Sequence, residues 1–153
     1  MAKRICVLGT VIFYLAALFA QDNIALFSPD KTIKFLLHLR NDAISYSVYY
    51  RKQTIVSNSL LGFHFADGEF GNNLRCERIR RRTVDDTYDL VMGKVRTARN
   101  HYREVIVPLR EKEAPGRLIN LVVRAFNDGV AFRYEFPEQE GWDSYVMRRL
   151  SLI

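Results

Sequence analysis

The chain has 153 residues, a formal net charge of +6, and 48% hydrophobic and 26% charged residues. Those values describe one globular domain and exclude wholesale disorder. Ten Phe and eight Tyr supply enough aromatic bulk for a substantial core.

Residues 1–20 stand apart from the rest. Lys3 and Arg4 precede an almost wholly apolar run from Ile5 to Phe19, and Ala20 is followed by the polar pair Gln21 and Asp22. That is the layout of a secretory signal peptide, and the run is short for a spanning helix. Leu18 is a poor fit to the small residue that an A-x-A cleavage site wants, so an uncleaved N-terminal anchor is the alternative reading. Cleavage after Ala20 takes the charge from +6 to +4 by removing Lys3 and Arg4. It also removes Cys6 and leaves Cys76 alone, so the mature domain is expected to hold together by packing without an internal disulfide.

The mature chain reads as short β-like runs between turns, with no repeat and no convincing amphipathic helix. Ser28-Pro29-Asp30-Lys31 is a turn, in which Pro fixes φ and Asp can cap. Thr32 to Leu39 follows as a strand, and Asn41-Asp42 turns the chain again. Ile44 to Tyr50 alternates, with Ile44, Tyr46, Val48 and Tyr50 on one face and Ser45, Ser47 and Tyr49 on the other. Thr54 to Val56 completes a three-stranded meander, and Leu60 to Phe65 is a further short run. Residues 71–87 read as a loop, because Arg75 to Arg82 carries five Arg. Leu90 to Met92 is a brief strand candidate. His101 to Leu109 is a strand with Pro108 at its end or on an edge. Arg117 to Phe126, the turn Asn127-Asp128-Gly129 and Val130 to Phe136 form the clearest hairpin. In its first strand Ile119, Leu121, Val123 and Ala125 share a face. In its second, Val130, Phe132, Tyr134 and Phe136 do. Many short strands without helices predict an all-β fold, an antiparallel sandwich or barrel.

Candidate chemistry is sparse. Asp85, Asp86 and Asp89 cluster, but in the Arg-rich stretch, where a solvated loop paired to Arg80, Arg81 and Arg82 is the plainer reading. Glu104 and Glu135 fall on strands, and nothing in their spacing sets them opposite one another as hydrolysis by paired carboxylates would require. His38, His64 and His101 lack metal-ligand spacing, so no metal site is expected. Glycines 62, 68 and 71 fit neither a dinucleotide nor a P-loop pattern, and no nucleophile elbow occurs. The Arg run lacks interleaved aromatics and the chain carries an export signal, so no nucleic-acid partner is expected. Arg99, Asn100, His101 and Tyr102 form the one cluster that offers hydrogen-bond donors and a ring to a sugar. They are the candidate carbohydrate-binding residues, against the plainer reading of a strand start that touches a neighbouring domain.

Five segments, in order, resemble the N-terminal domain of glycoside hydrolase family 97. They are S-P-D-K at Ser28 to Lys31, Y-S-V-Y-Y at Tyr46 to Tyr50, S-x-L-L-G-F from Ser57 through Ser59 to Phe63, R-N-H-Y-R-E at Arg99 to Glu104, and R-A-F-N-D-G-V-A-F-R-Y-E-F at Arg124 to Phe136. The resemblance implies a galactose-mutarotase-like β-supersandwich over residues 21–140 of an exported bacterial enzyme, periplasmic or extracellular, that acts on α-glucosides or α-galactosides. It also implies a separate (β/α)₈ barrel that carries the catalytic carboxylates and calcium. No catalytic residue, metal or cofactor is therefore assigned to this chain, no activity is expected of it alone, and its expected partners are an α-linked saccharide and that barrel, with the membrane met only through the export signal. Residues 141–153 read as a divergent tail, as a truncated or frameshifted product would give. A free-standing secreted sugar-binding sandwich and a purely structural one are the alternatives.

Overall fold

A computed structural model describes residues 23–40, 43–90, 97–142 and 145–152. Residues 1–20, expected to be a signal peptide, and the expected Asn41-Asp42 turn lie outside the described residues. Eleven strands occur among the described residues: β1 (Asn23–Phe27), β2 (Ile33–Leu39), β3 (Ile44–Tyr50), β4 (Gln53–Phe65), β5 (Gly68–Phe70), β6 (Leu74–Cys76), β7 (Arg80–Asp89), β8 (Thr97–Glu111), β9 (Leu118–Ala125), β10 (Val130–Glu135) and β11 (Met147–Leu152). They form two antiparallel sheets. One runs β1-β2-β3-β4-β11, with β5 also on β4. The other runs β10-β9-β8-β6, with β7 also on β8. The expected sandwich is therefore present.

The core is what the alternation predicts. Ile24 and Leu26, Phe35 and Leu37, and Ile44 from the first sheet meet Val105, Val107, Leu109, Ile119, Leu121, Val123 and Ala125 from the second. Val130, Phe132, Tyr134 and Phe136 pack against this core half-buried. Burying such side chains is worth roughly 1.5–3 kcal/mol each, and that packing holds the two sheets together. The turn between β9 and β10 closes through the Phe126 N–H donating to the Gly129 carbonyl at 2.8 Å. None of its residues needs a positive φ.

Two corrections concern strand limits. Thr54–Val56 and Leu60–Phe65 are not separate runs but the two ends of β4. Val56 opposes Val48, whereas Leu61, Phe63 and Phe65 are the buried positions further on. The switch from even to odd inward positions follows from a bulge, where Asn58 takes φ 47°. The Ser47 hydroxyl accepts the Asn58 N–H at 3.1 Å and lies within 3.1 Å of His38 Nε2, so Ser47 is buried on a face the alternation marks as polar.

The second correction is larger. The Arg-rich stretch is not a loop: it supplies β6 and β7, which pair end to end with β8. Leu90 follows β7 outside any strand, and Val91 and Met92 lie outside the described residues. Pro108 sits inside β8, opposite the break between β6 and β7. Its carbonyl accepts the Glu77 N–H on that side, so its missing N–H faces the same gap. Residues 141–153, set apart as divergent, contribute β11, which pairs with Leu61 to Phe65 of β4.

Two motif segments meet at one end of the sandwich. Asp30 Oδ1 accepts from the Ser28 hydroxyl at 2.6 Å and the Thr32 N–H at 3.0 Å. The Asp30 N–H donates to Asn127 Oδ1 at 3.1 Å. The bonds from Ser28 and Thr32 hold the Asp30 carboxyl below the usual carboxylate range, the Ser28 hydroxyl contributing most.

Candidate functional site

Beyond the sandwich, β7 and the first half of β8 continue as a two-stranded arm. From Thr83 to Leu90 nearly every side chain is exposed, and so are Thr97 and Arg99 on the partner strand. Without a second sheet over it, the arm is held by its ladder and by cross-strand pairs. Asp85 faces His101 in register and lies diagonally, two positions along the strand, from Arg99. Arg99 Nε and Nη2 donate to the two Asp85 oxygens at 2.7 Å each. His101 Nε2 lies 3.9 Å from Asp85 Oδ2. The Arg99 hydrogen bond holds the Asp85 carboxyl low, and Asp85 in return raises Arg99. The bidentate geometry fixes Arg99 on an otherwise wet strand.

Strand alternation divides the four candidate residues. Arg99 and His101 share one face with Asp85, while Asn100 and Tyr102 point to the other. Tyr102 is only 4% exposed. The Arg124 guanidinium lies over its ring at 4.5 Å, and the Phe126 ring sits 5.2 Å away. The structure therefore brings Arg99 and His101 together and gives Tyr102 to the packing of the sheet.

The outer face of the second sheet carries a network that the sequence does not announce. Arg82, Glu104 and Arg124 are directly opposite one another on β7, β8 and β9. Glu104 is 1% exposed. Arg82 Nε and Nη2 donate to its two oxygens, and Arg124 Nε donates to Oε2 at 2.7 Å. Burial alone would raise the Glu104 carboxyl, but the hydrogen bonds from Arg82 and Arg124 outweigh it and hold it low. Glu104 is thus a fixed anion between two guanidiniums. Glu135 lies on β10 and pairs with Arg133 on its own strand. The Glu104 signal was visible as a carboxylate on a strand. Arg82 was hidden by the loop reading of its segment.

The other two histidines and Cys76 are tied to neighbouring residues of the sandwich. His38 contacts Asn23 Oδ1 at 2.7 Å and Ser47, and burial lowers its pKa, helped by Arg40 and Lys34. His64 lies 3.1 Å from a Glu69 oxygen. Burial raises the Cys76 thiol, with Glu77 adding to it, so its thiolate is suppressed.

The family model described as glycosyl-hydrolase 97 N-terminal matches residues 26–149. The chain belongs to that family. The match extends past residue 141 into β11, beyond the segments that carry the sequence resemblance. A probable retaining alpha-galactosidase of Streptomyces bingchenggensis is 28% identical over 140 residues, which is 88% of this chain and 22% of that protein. A retaining alpha-galactosidase of Bacteroides thetaiotaomicron is 26% identical over 131 residues, 85% of this chain and 18% of that one. A glycoside hydrolase family 97 enzyme from Pseudoalteromonas, solved with panose, superposes with a TM-score of 0.80 at 26% identity, over 84% of this chain and 20% of that one. A beta-arabinopyranosidase structure gives 0.76 at 25% identity, with the same coverage. The chain thus spans about a fifth of the relatives it matches.

Proposed function

We propose that this chain is the exported, catalytically silent sandwich of a family 97 glycoside hydrolase, and that it contacts an α-linked saccharide beside a catalytic barrel. Residues 1–20 direct export to the periplasm or beyond. The observation that carries the saccharide contact is the Asp85–Arg99 pair with His101 beside it. It presents oriented donors on an arm that projects past the sandwich, where a neighbouring domain and its ligand can be reached. The relatives named as alpha-galactosidases and the panose-bound enzyme support α-glycosides as the ligand class.

Two carboxylates, Glu104 and Asp85, support that silence. Glycoside hydrolysis needs one carboxyl protonated and a second free to attack or activate water. Glu104 is held ionised by two Arg, and Asp85 is held ionised by Arg99. Neither can serve as a general acid at neutral pH. Incubating the purified chain with p-nitrophenyl α-glucoside and α-galactoside tests this. No release above the blank is expected, and sustained turnover would overturn it.

A further inference from the structure

The Arg82, Glu104, Arg124 row ends on β10 at Ala131, which lies directly opposite Arg124. Alanine is too small to cover its neighbour. A notch of about 200 Å³ opens there, lined by Val122, Arg124, Ala131, Phe132 and Arg133. We infer that this notch is a carboxylate-binding site, sized for a uronic-acid residue of a saccharide. The inference rests on the carbohydrate reading above but not on the Asp85–Arg99 arm.

Three observations point the same way. First, Arg124 is oriented before any ligand arrives. Its Nε is bound to buried Glu104 and its plane lies on the Tyr102 ring, while its two Nη atoms have no hydrogen-bond partner among the described residues. A guanidinium held by one edge offers the other to a carboxylate as a two-donor fork. Second, Arg133 borders the notch diagonally from Arg124, and it uses Nε and Nη2 on Glu135, leaving Nη1. Third, charge balance is incomplete. Arg82, Arg124 and Arg133 face Glu104 and Glu135, so one positive charge remains, and one carboxylate neutralises it. The floor is apolar, from Val122 and Ala131, and suits the C–H face of a pyranose ring. A neutral sugar would lose the fork, and a bare carboxylate would lose the floor.

The test is an NMR titration of the ¹⁵N-labelled full chain with galacturonate, galactose and acetate at low salt. Galacturonate is expected to shift the Arg124 and Ala131 resonances saturably, with an affinity that weakens several-fold as salt shortens the screening length to about 8 Å. Acetate is expected to bind at least about tenfold more weakly, because it lacks the ring contact, a difference of about 1.4 kcal/mol. Ala131→Leu fills the notch from an exposed position and should abolish the shifts while leaving the thermal melt unchanged. Arg124→Lys keeps the charge but not the fork, and should weaken binding at least about tenfold. No shift at Arg124 and Ala131, or undiminished binding by the Leu variant, overturns the site. Equal binding of acetate and galacturonate overturns the saccharide assignment. A melt still raised by neutral α-glycosides after galacturonate fails would sink this inference alone. Loss of both would sink the broader reading.

Discussion

Glu104 shows how a single side chain reports the electrostatics of a whole sheet face. Its folded pKa is depressed, so its stabilising contribution is present above the unfolded value near 4.3 and is lost as pH falls through the folded value. Glu104→Gln removes the charge but keeps the shape, and leaves Arg82 and Arg124 without their shared anion. Breaking a fully buried pair costs about 3–5 kcal/mol. Here both guanidiniums reach solvent, so about 2 kcal/mol is the expected loss at pH 7. Urea melts of the two proteins should differ by that amount at pH 7 and converge toward pH 3. A difference that persists undiminished at pH 3 would mean that packing, not charge, is what Glu104 supplies. Tyr134 gives the opposite sign. Its hydroxyl is buried without a hydrogen-bond partner among the described residues, while its ring meets Phe63 edge-on at 4.4 Å. Tyr134→Phe keeps the ring contact and removes the orphan group, so denaturant melts should show a gain of about 1 kcal/mol. A loss would reveal a partner such as an ordered water.

At the scale of elements, the strands that alternate were legible and those that do not were missed. β2, β3, β9 and β10 each turn an apolar face toward the core, so their apolar residues recur with period two and their limits are right to within a residue or two. β7 has no such signature because its outer part is wet on both faces. Its sequence of Arg, Thr, Val, Asp and Tyr carries only the pairing preference of its neighbours. The split reading of β4 has the same origin, since the bulge at Asn58 breaks the phase of the pattern in mid-strand. The candidate site was legible in part. Arg99 and His101 do share a face, but only the strand geometry reveals that Asp85 pairs with Arg99 beside His101 and that Tyr102 packs with Arg124 and Phe126. Because Arg99 and Asp85 form an exposed pair, Asp85→Asn should leave the thermal melt of the free chain within a degree or two, since exposed pairs contribute only about 0–1 kcal/mol. The same variant should reduce the melt shift given by an α-glycoside. A variant that binds as well as the parent would remove the arm from the saccharide contact.

For the molecule as a whole, one edge is unfinished. β10 has no strand on its outer side among the described residues, and the apolar interior opens there into a groove of about 400 Å³ lined by Tyr46, Val48, Tyr50, Ile55, Val56 and Phe132. Ile55 is 60% exposed on its rim. Unpaired edges beside exposed apolar surface promote association. Light scattering of the chain should therefore rise with concentration, and Ile55→Lys should suppress that rise. If Ile55→Lys leaves association unchanged, the groove is not its cause.

On the proposed function, a sandwich without catalytic activity of its own still meets an α-linked saccharide. A thermal melt of the full chain with and without maltooligosaccharides and α-galactosides tests it most directly, because a ligand raises the midpoint only by binding the folded state. One cooperative transition that moves upward with saccharide concentration is expected. A cooperative transition that no α-glycoside moves would contradict it and leave the sandwich a structural partner alone.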